Sequence, residues 1–97
     1  MRTYELTFLV GSDIGEEDLN GVVTTIQGWV EADQGKVTNV DHWGRRRLAY
    51  DIAEYHEGQY VLLGLELDPQ TTSGLERNLR LNDKVLRHLL IRTGEQA

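Results

Sequence analysis

The 97-residue chain has no cysteine. A disulfide framework, a thiolate metal site and a cysteine nucleophile are thereby excluded. Long apolar runs are missing too. The stretch Val61 to Leu65 is representative of the longest, whereas a membrane-spanning helix needs ~20 residues. The first residues enter an alternating pattern with no charged-then-apolar leader, so a cytoplasmic protein is expected. There is no internal repeat, low-complexity tract or linker, and residues 1–97 are expected to form one domain. The 39% apolar and 27% charged residues match an ordinary soluble globular chain.

Positive charge is in short supply. Ten Lys and Arg face sixteen Asp and Glu, for a net charge of −6. This excludes a polycation that coats nucleic acid by neutralising phosphates nonspecifically. The bases that exist are clustered: Lys36, Arg45, Arg46 and Arg47 form one island, and Arg77, Arg80, Lys84, Arg87 and Arg92 a second. One cationic face results if the islands meet in the fold.

Hydropathy periods divide the chain. Thr3 to Val10 alternates, with Tyr4, Leu6, Phe8 and Val10 on one side of a strand. Gly11 to Gly15 interrupts it, and Asp13 with Glu16 has capping-box spacing for a helix. Leu19, Val22, Val23, Ile26, Trp29 and Val30 form a helical stripe, with Gly35 as the expected C-cap. Gly21 and Gly28 weaken that helix, and close packing on a sheet would explain them. Lys36 to Ile52 is long for one strand, and a parity break at Val37 and Val40 predicts a bulge there or at Gly44. Ala53 to Gly58 reads as a polar turn and Gln59 to Leu67 as the returning strand. Asp68-Pro69 starts a second helix carrying Leu75, Leu79 and Leu81. Val85 to Arg92 is the last strand and Gly94 to Ala97 a tail.

The order strand, helix, strand, strand, helix, strand is the α+β, ferredoxin-like βαββαβ pattern. It gives a four-stranded antiparallel sheet with two helices on one face. The other face should be polar. Yet Tyr60 and Leu62 on the third strand, and Val85, Leu89 and Ile91 on the fourth, make both faces of these strands apolar. Two readings are open: scattered surface apolar residues, or a contiguous patch that another chain covers.

Catalytic chemistry is thinly represented. No phosphate-binding glycine loop opens a helix. His42, His56 and His88 are far apart and lack i,i+4 metal spacing, so no metal and no cofactor are expected. Glu16-Glu17 and Glu54 with Glu57 read as capping or solvated groups. Nothing assembles nucleophile, base and oxyanion donor. An RNA-recognition motif is also disfavoured: Tyr60 is the single aromatic residue between Gly58 and Gly64, too little for a base-stacking platform.

The distinctive stretch is Trp43-Gly44-Arg45-Arg46-Arg47-Leu48-Ala49-Tyr50-Asp51-Ile52. On a strand, Arg46, Leu48, Tyr50 and Ile52 share one face, and Arg45, Arg47, Ala49 and Asp51 the other. Arginine forks suit phosphate oxygens. A charged strand edge that blocks sheet-to-sheet pairing explains the same residues.

This stretch resembles the signature of the bacterial small-subunit ribosomal protein "S six" family. The opening Met1-Arg2-Thr3-Tyr4-Glu5, the segment Glu57-Gly58-Gln59-Tyr60, Leu79 to Asp83 and the strand Val85 to Arg92 are similar too, so the likeness covers essentially the whole chain. It implies a non-catalytic, structural constituent of the small subunit. Such a protein binds small-subunit ribosomal RNA in the platform, paired with ribosomal protein "S eighteen". By carry-over, Arg2, Arg45, Arg46, Arg47, Arg87 and Arg92 become RNA-binding residues, with partner contacts open to the same arginines. Trp43, Tyr50, Tyr60, Leu62, Leu89 and Ile91 become the partner interface. The acidic balance predicts weak RNA binding without the partner. No membrane or small-molecule substrate is implied.

Rival readings are a ferredoxin-like small-molecule-binding regulatory domain and a homodimeric small enzyme. Each uses the same fold, which by itself does not choose function.

Overall fold

The computed structural model describes residues 1–52 and 55–95. Strand β1 (Arg2–Gly11) leads to helix α1 (Glu16–Ala32), and β2 (Lys36–Ile52) and β3 (Tyr55–Leu67) form a long hairpin. A single 3-10 turn (Pro69–Thr71) opens helix α2 (Thr72–Leu81), and β4 (Val85–Glu95) follows. The sheet order is β2-β3-β1-β4, with every neighbouring pair antiparallel. This is the expected ferredoxin-like architecture.

The core is what the two periodicities dictate. Tyr4, Leu6, Phe8 and Val10 of β1 and Val61, Leu63, Leu65 and Leu67 of β3 face Leu19, Val22, Val23, Ile26 and Val30 of α1 and Leu75 and Leu79 of α2. Fully burying one such side chain contributes ~1.5–3 kcal/mol. An exposed ion pair contributes ~0–1 kcal/mol. The apolar pattern therefore decides which face the helices cover. His88 of β4 lies on this side, with Nε2 3.2 Å from Glu76 Oε1 of α2.

Several local expectations are corrected. The capping box does not form: α1 starts after Gly15, with no side-chain cap. Asp13 lies too far upstream, and its carboxylate instead accepts the Tyr55 hydroxyl. Glu16, Glu17 and Asp18 do occupy the first turn, where the helix dipole favours them. At the other end Asp33 is the C-cap, and the left-handed residue is Gln34 (φ 69°), not Gly35. Gln34 N–H donates to the Glu31 carbonyl (3.1 Å) and Gly35 N–H to that of Val30 (2.9 Å), a Schellman closure. Gly35 is required for a different reason: a Cβ there would lie 2.8 Å from the Glu66 carbonyl oxygen. Gly21 and Gly28 do not pack on the sheet. Both are exposed, and an added Cβ would meet nothing within 4 Å.

The hairpin is longer than its polarity suggested. His56, Glu57 and Gly58 belong to β3 rather than to a turn, and Ala53 and Glu54 lie outside the described residues. The expected irregularity in β2 is present as register shifts between Val37 and Asn39 and between His42 and Gly44, where Gly44 takes φ 79°. Leu81 does not extend the α2 stripe; it is 68% exposed. Val85 does not join the far face. A register shift between Leu9 and Val10 turns it toward the core, against which it packs. Strand β4 continues through Gly94 to Glu95, so the expected tail shrinks to Gln96 and Ala97, which lie outside the described residues.

Candidate RNA and partner interface

The side of the sheet away from the helices carries the alternate residues of each strand. On β1 these are Thr3, Glu5, Thr7 and Leu9, and on β3 Tyr60, Leu62, Gly64 and Glu66. On β4 they are Arg87, Leu89 and Ile91. Cross-strand register joins Leu62 to Thr7 and Thr7 to Leu89, and joins Glu5 to Ile91. Leu89 is 57% and Ile91 48% exposed. On the β2 side, Gly44 lies opposite Tyr60, and the neighbouring Trp43 ring sits 6.3 Å from that of Tyr60, tilted by 39°. The Trp43 indole N–H donates to Asp41 (3.2 Å). The residues expected at a partner interface are thus brought together: Trp43, Tyr60, Leu62, Leu89 and Ile91 form a contiguous apolar centre.

Tyr50, the sixth, is exposed and engages Arg87. Its hydroxyl accepts from Arg87 Nη1 at 2.6 Å, and the Arg87 guanidinium stands 5.3 Å from its ring centroid. Strands β2 and β4 are opposite edges of the sheet, so the distal hairpin bends across the open side to make this contact. Leu9 and Leu48 are buried yet stand outside the helix-side cluster, and the bend accounts for their cover. Sequence periodicity carries no signal for this long-range contact.

The six candidate RNA-binding arginines do not form one face. Arg46, opposite Gly58, shares the open side with Arg87 near the hairpin end. Arg45 and Arg47 alternate to the other side, opposite Gln59 and Glu57. Arg45 donates to the Ser12 carbonyl (3.2 Å) and lies 3.9 Å from Glu57. Arg2, half-buried at the start of β1, and Arg92, exposed and opposite Tyr4, lie at the other end of the sheet. Arg46 and Arg87 thus place one cation from each basic island on the open side, on opposite edge strands near the same end of the sheet. The open side runs from this basic end, over the apolar centre, to Glu5 and to Glu66, which lies opposite Lys36.

A cleft of about 480 Å³ beside the start of α1 is lined by Ile14, Leu19, His42, Arg45 and Gln59, among others. Two of its polar side chains, Gln59 and Arg45, hold the β1–α1 turn. The Gln59 amide donates to the Ile14 carbonyl (2.8 Å) and reaches that of Gly11 (3.5 Å), while Arg45 serves Ser12. Among the described residues no three His, Asp or Glu gather where a metal ion could be held.

Tyr55 extends the hairpin's ties to the body of the fold. Its ring lies against Gly11, where an added Cβ would be 2.6 Å from it. Its hydroxyl is held above the usual phenol pKa by the hydrogen bond to Asp13, then by partial burial and by the charge of that carboxylate.

Comparison with known proteins agrees with this geometry. The family described as "Ribosomal protein S6" matches residues 3–92. The chain is 42% identical over 95 residues to the small ribosomal subunit protein bS6 of Alkaliphilus metalliredigens, covering 98% of this chain and 100% of the relative. The bS6 protein of Desulforamulus reducens is 37% identical with the same coverage. The crystal structure of 30S ribosomal protein S6 from Thermotoga maritima superposes with a TM-score of 0.88 at 28% identity, covering 95% of this chain and 87% of that one. The chain belongs to the ribosomal protein S6 family, whose members are structural, non-enzymatic proteins of the bacterial small ribosomal subunit.

Proposed function

We propose that the chain, acting as one ferredoxin-like domain, is a structural constituent of the bacterial small ribosomal subunit. In this reading it binds small-subunit ribosomal RNA in the platform as a pair with ribosomal protein "S eighteen" and resides on cytoplasmic ribosomes. The supporting observation is the open side of the sheet, where an apolar centre of Trp43, Tyr60, Leu62, Leu89 and Ile91 adjoins Arg46 and Arg87. The apolar centre suits a protein partner. The adjoining arginines suit phosphates running beside that partner, which position the complex without reading bases. With a net charge of −6, the chain alone has little long-range attraction for RNA.

Filter binding of a platform RNA fragment tests this, with the chain alone, the partner alone and both together. The pair should bind far more tightly than the chain alone; equal affinity would overturn the cooperative reading. Leu62→Asp should abolish pairing. Arg46→Ala should leave pairing intact and lower the slope of log affinity against log salt by about 1, the signature of one lost phosphate contact.

A further inference from the structure

Glu5 is an anomaly of the open side. It is exposed, makes no hydrogen bond or ion pair among the described residues, and stands within the apolar zone. Its cross-strand neighbours are Gly64 and Ile91, and Leu62 and Leu89 lie one same-face step away along the adjacent strands. No cation is among those neighbours. Lys36 and Arg46 are two strands away on β2, and Arg87 is two same-face positions along β4 from Ile91. In the free chain water solvates the carboxylate. Once a partner covers Leu62, Leu89 and Ile91, that water is displaced and an uncompensated charge is left behind. A wholly apolar partner is therefore selected against.

Resting on the docking reading above, we propose that Glu5 is a specificity-determining residue of the partner interface. It receives an arginine or lysine side chain carried by an otherwise apolar segment of the partner protein. The charge pair fixes orientation as well as choice. The partner's cation must lie toward the Glu5 end while ribosomal phosphate occupies the Arg46 and Arg87 end. Reversing the partner would set its cation against those arginines and leave Glu5 bare.

Calorimetry of the full chain with purified "S eighteen" protein tests this, using wild type, Glu5→Gln, Glu17→Gln and Leu62→Asp. Circular dichroism should find all of them folded, since Glu5 and Glu17 are exposed and Leu62 is outside the helix-side core. Glu5→Gln should weaken binding by about tenfold or more, because one member of a desolvated charge pair is lost. The loss should persist at high salt, where exposed pairs are screened. Glu17→Gln, an equal change of net charge on α1, should have no effect. A double-mutant cycle against single Lys→Ala and Arg→Ala variants of the partner should find one cation coupled to Glu5. Binding of Glu5→Gln at or above wild-type strength, with Leu62→Asp inactive, would overturn the role of Glu5 and leave the docking face standing. An equal loss in Glu17→Gln would reduce the effect to net charge and overturn it too. Failure of the wild-type chain to bind would overturn the docking reading and this inference together.

Discussion

Replacing Gly21 and Gly28 with alanine should stabilise the protein. Both glycines lie inside α1, neither has a positive φ, both are exposed, and a methyl group at either meets no atom within 4 Å. The change therefore acts through backbone entropy and helix propensity alone. Alanine exceeds glycine by about 0.8–1.0 kcal/mol per interior helix position. The two sites are seven residues apart, about 10 Å along the axis at 1.5 Å per residue, far enough for their effects to add. The double variant should gain roughly 1.6–2.0 kcal/mol. At about 4–8 °C per kcal/mol for a domain of this size, Tm should rise by roughly 6–16 °C. Urea denaturation is the cleaner assay, because a raised midpoint at unchanged m isolates stability from compactness. Assembly into small subunits should be unaffected, since the proposed contacts lie across the sheet from α1. A double variant gaining less than about 0.5 kcal/mol, or losing stability, would refute this account of α1 as a helix whose outer surface touches nothing.

Gly58 should respond in the opposite direction. A Cβ there collides with the buried Leu9 side chain and lies 3.0 Å from the Val10 carbonyl oxygen, so Gly58→Ala should cost about 1–3 kcal/mol in the same urea assay. Asp68 accepts the Gln70 N–H at 3.0 Å where the chain enters α2; Asp68→Ala should cost about 1 kcal/mol, measured by thermal denaturation. Tyr55 should ionise above pH 10, the ordinary phenol value, and Asp13→Asn should lower that point, as read by ultraviolet titration with Tyr55→Phe as reference. Because the folded state holds the Tyr55 proton more tightly than the unfolded one, the stability it adds is complete below pH 10 and disappears as pH rises through the raised value.

Legibility in the sequence followed the range of each interaction. The stripe Leu19 to Val30 and the alternation Tyr4 to Val10 are local records of burial, and they identified the core, the element order and the surplus of apolar residues on the open side. The open-side residues Tyr60, Leu62, Leu89 and Ile91 were legible because parity alone puts a strand residue on a face, whereas Trp43 sits where a register shift breaks parity. End effects were less so. Asp13 and Glu16 satisfy a capping-box pattern, yet the competing acceptor role of Asp13 toward Tyr55 comes from 42 residues further along the chain and leaves no periodic trace. Gly35 looked like a left-handed cap because glycine usually is one, whereas here the constraint is the Glu66 backbone. His56 to Gly58 resembled part of a turn since strand residues beyond the sheet's main body need no apolar partner. The sorting of the arginines depended on a register that the bulge near Gly44 resets, and the Tyr50–Arg87 contact depended on the bend of the hairpin.

The position of β1 has a consequence for how the protein is made. This first strand is flanked by β3 and β4, so both of its ladders await residues synthesised much later, from Gly58 to Leu67 and from Val85 to Glu95. A nascent chain that has completed α1 and the hairpin can close one ladder only. The other edge of β1, with a row of unpaired N–H and C=O groups beside Leu6 and Phe8, stays open until the last strand emerges. Folding of the sheet is thus largely non-local and slow relative to its helices. Truncation before β4 would yield a chain with a long exposed strand edge, prone to pair with other chains and aggregate.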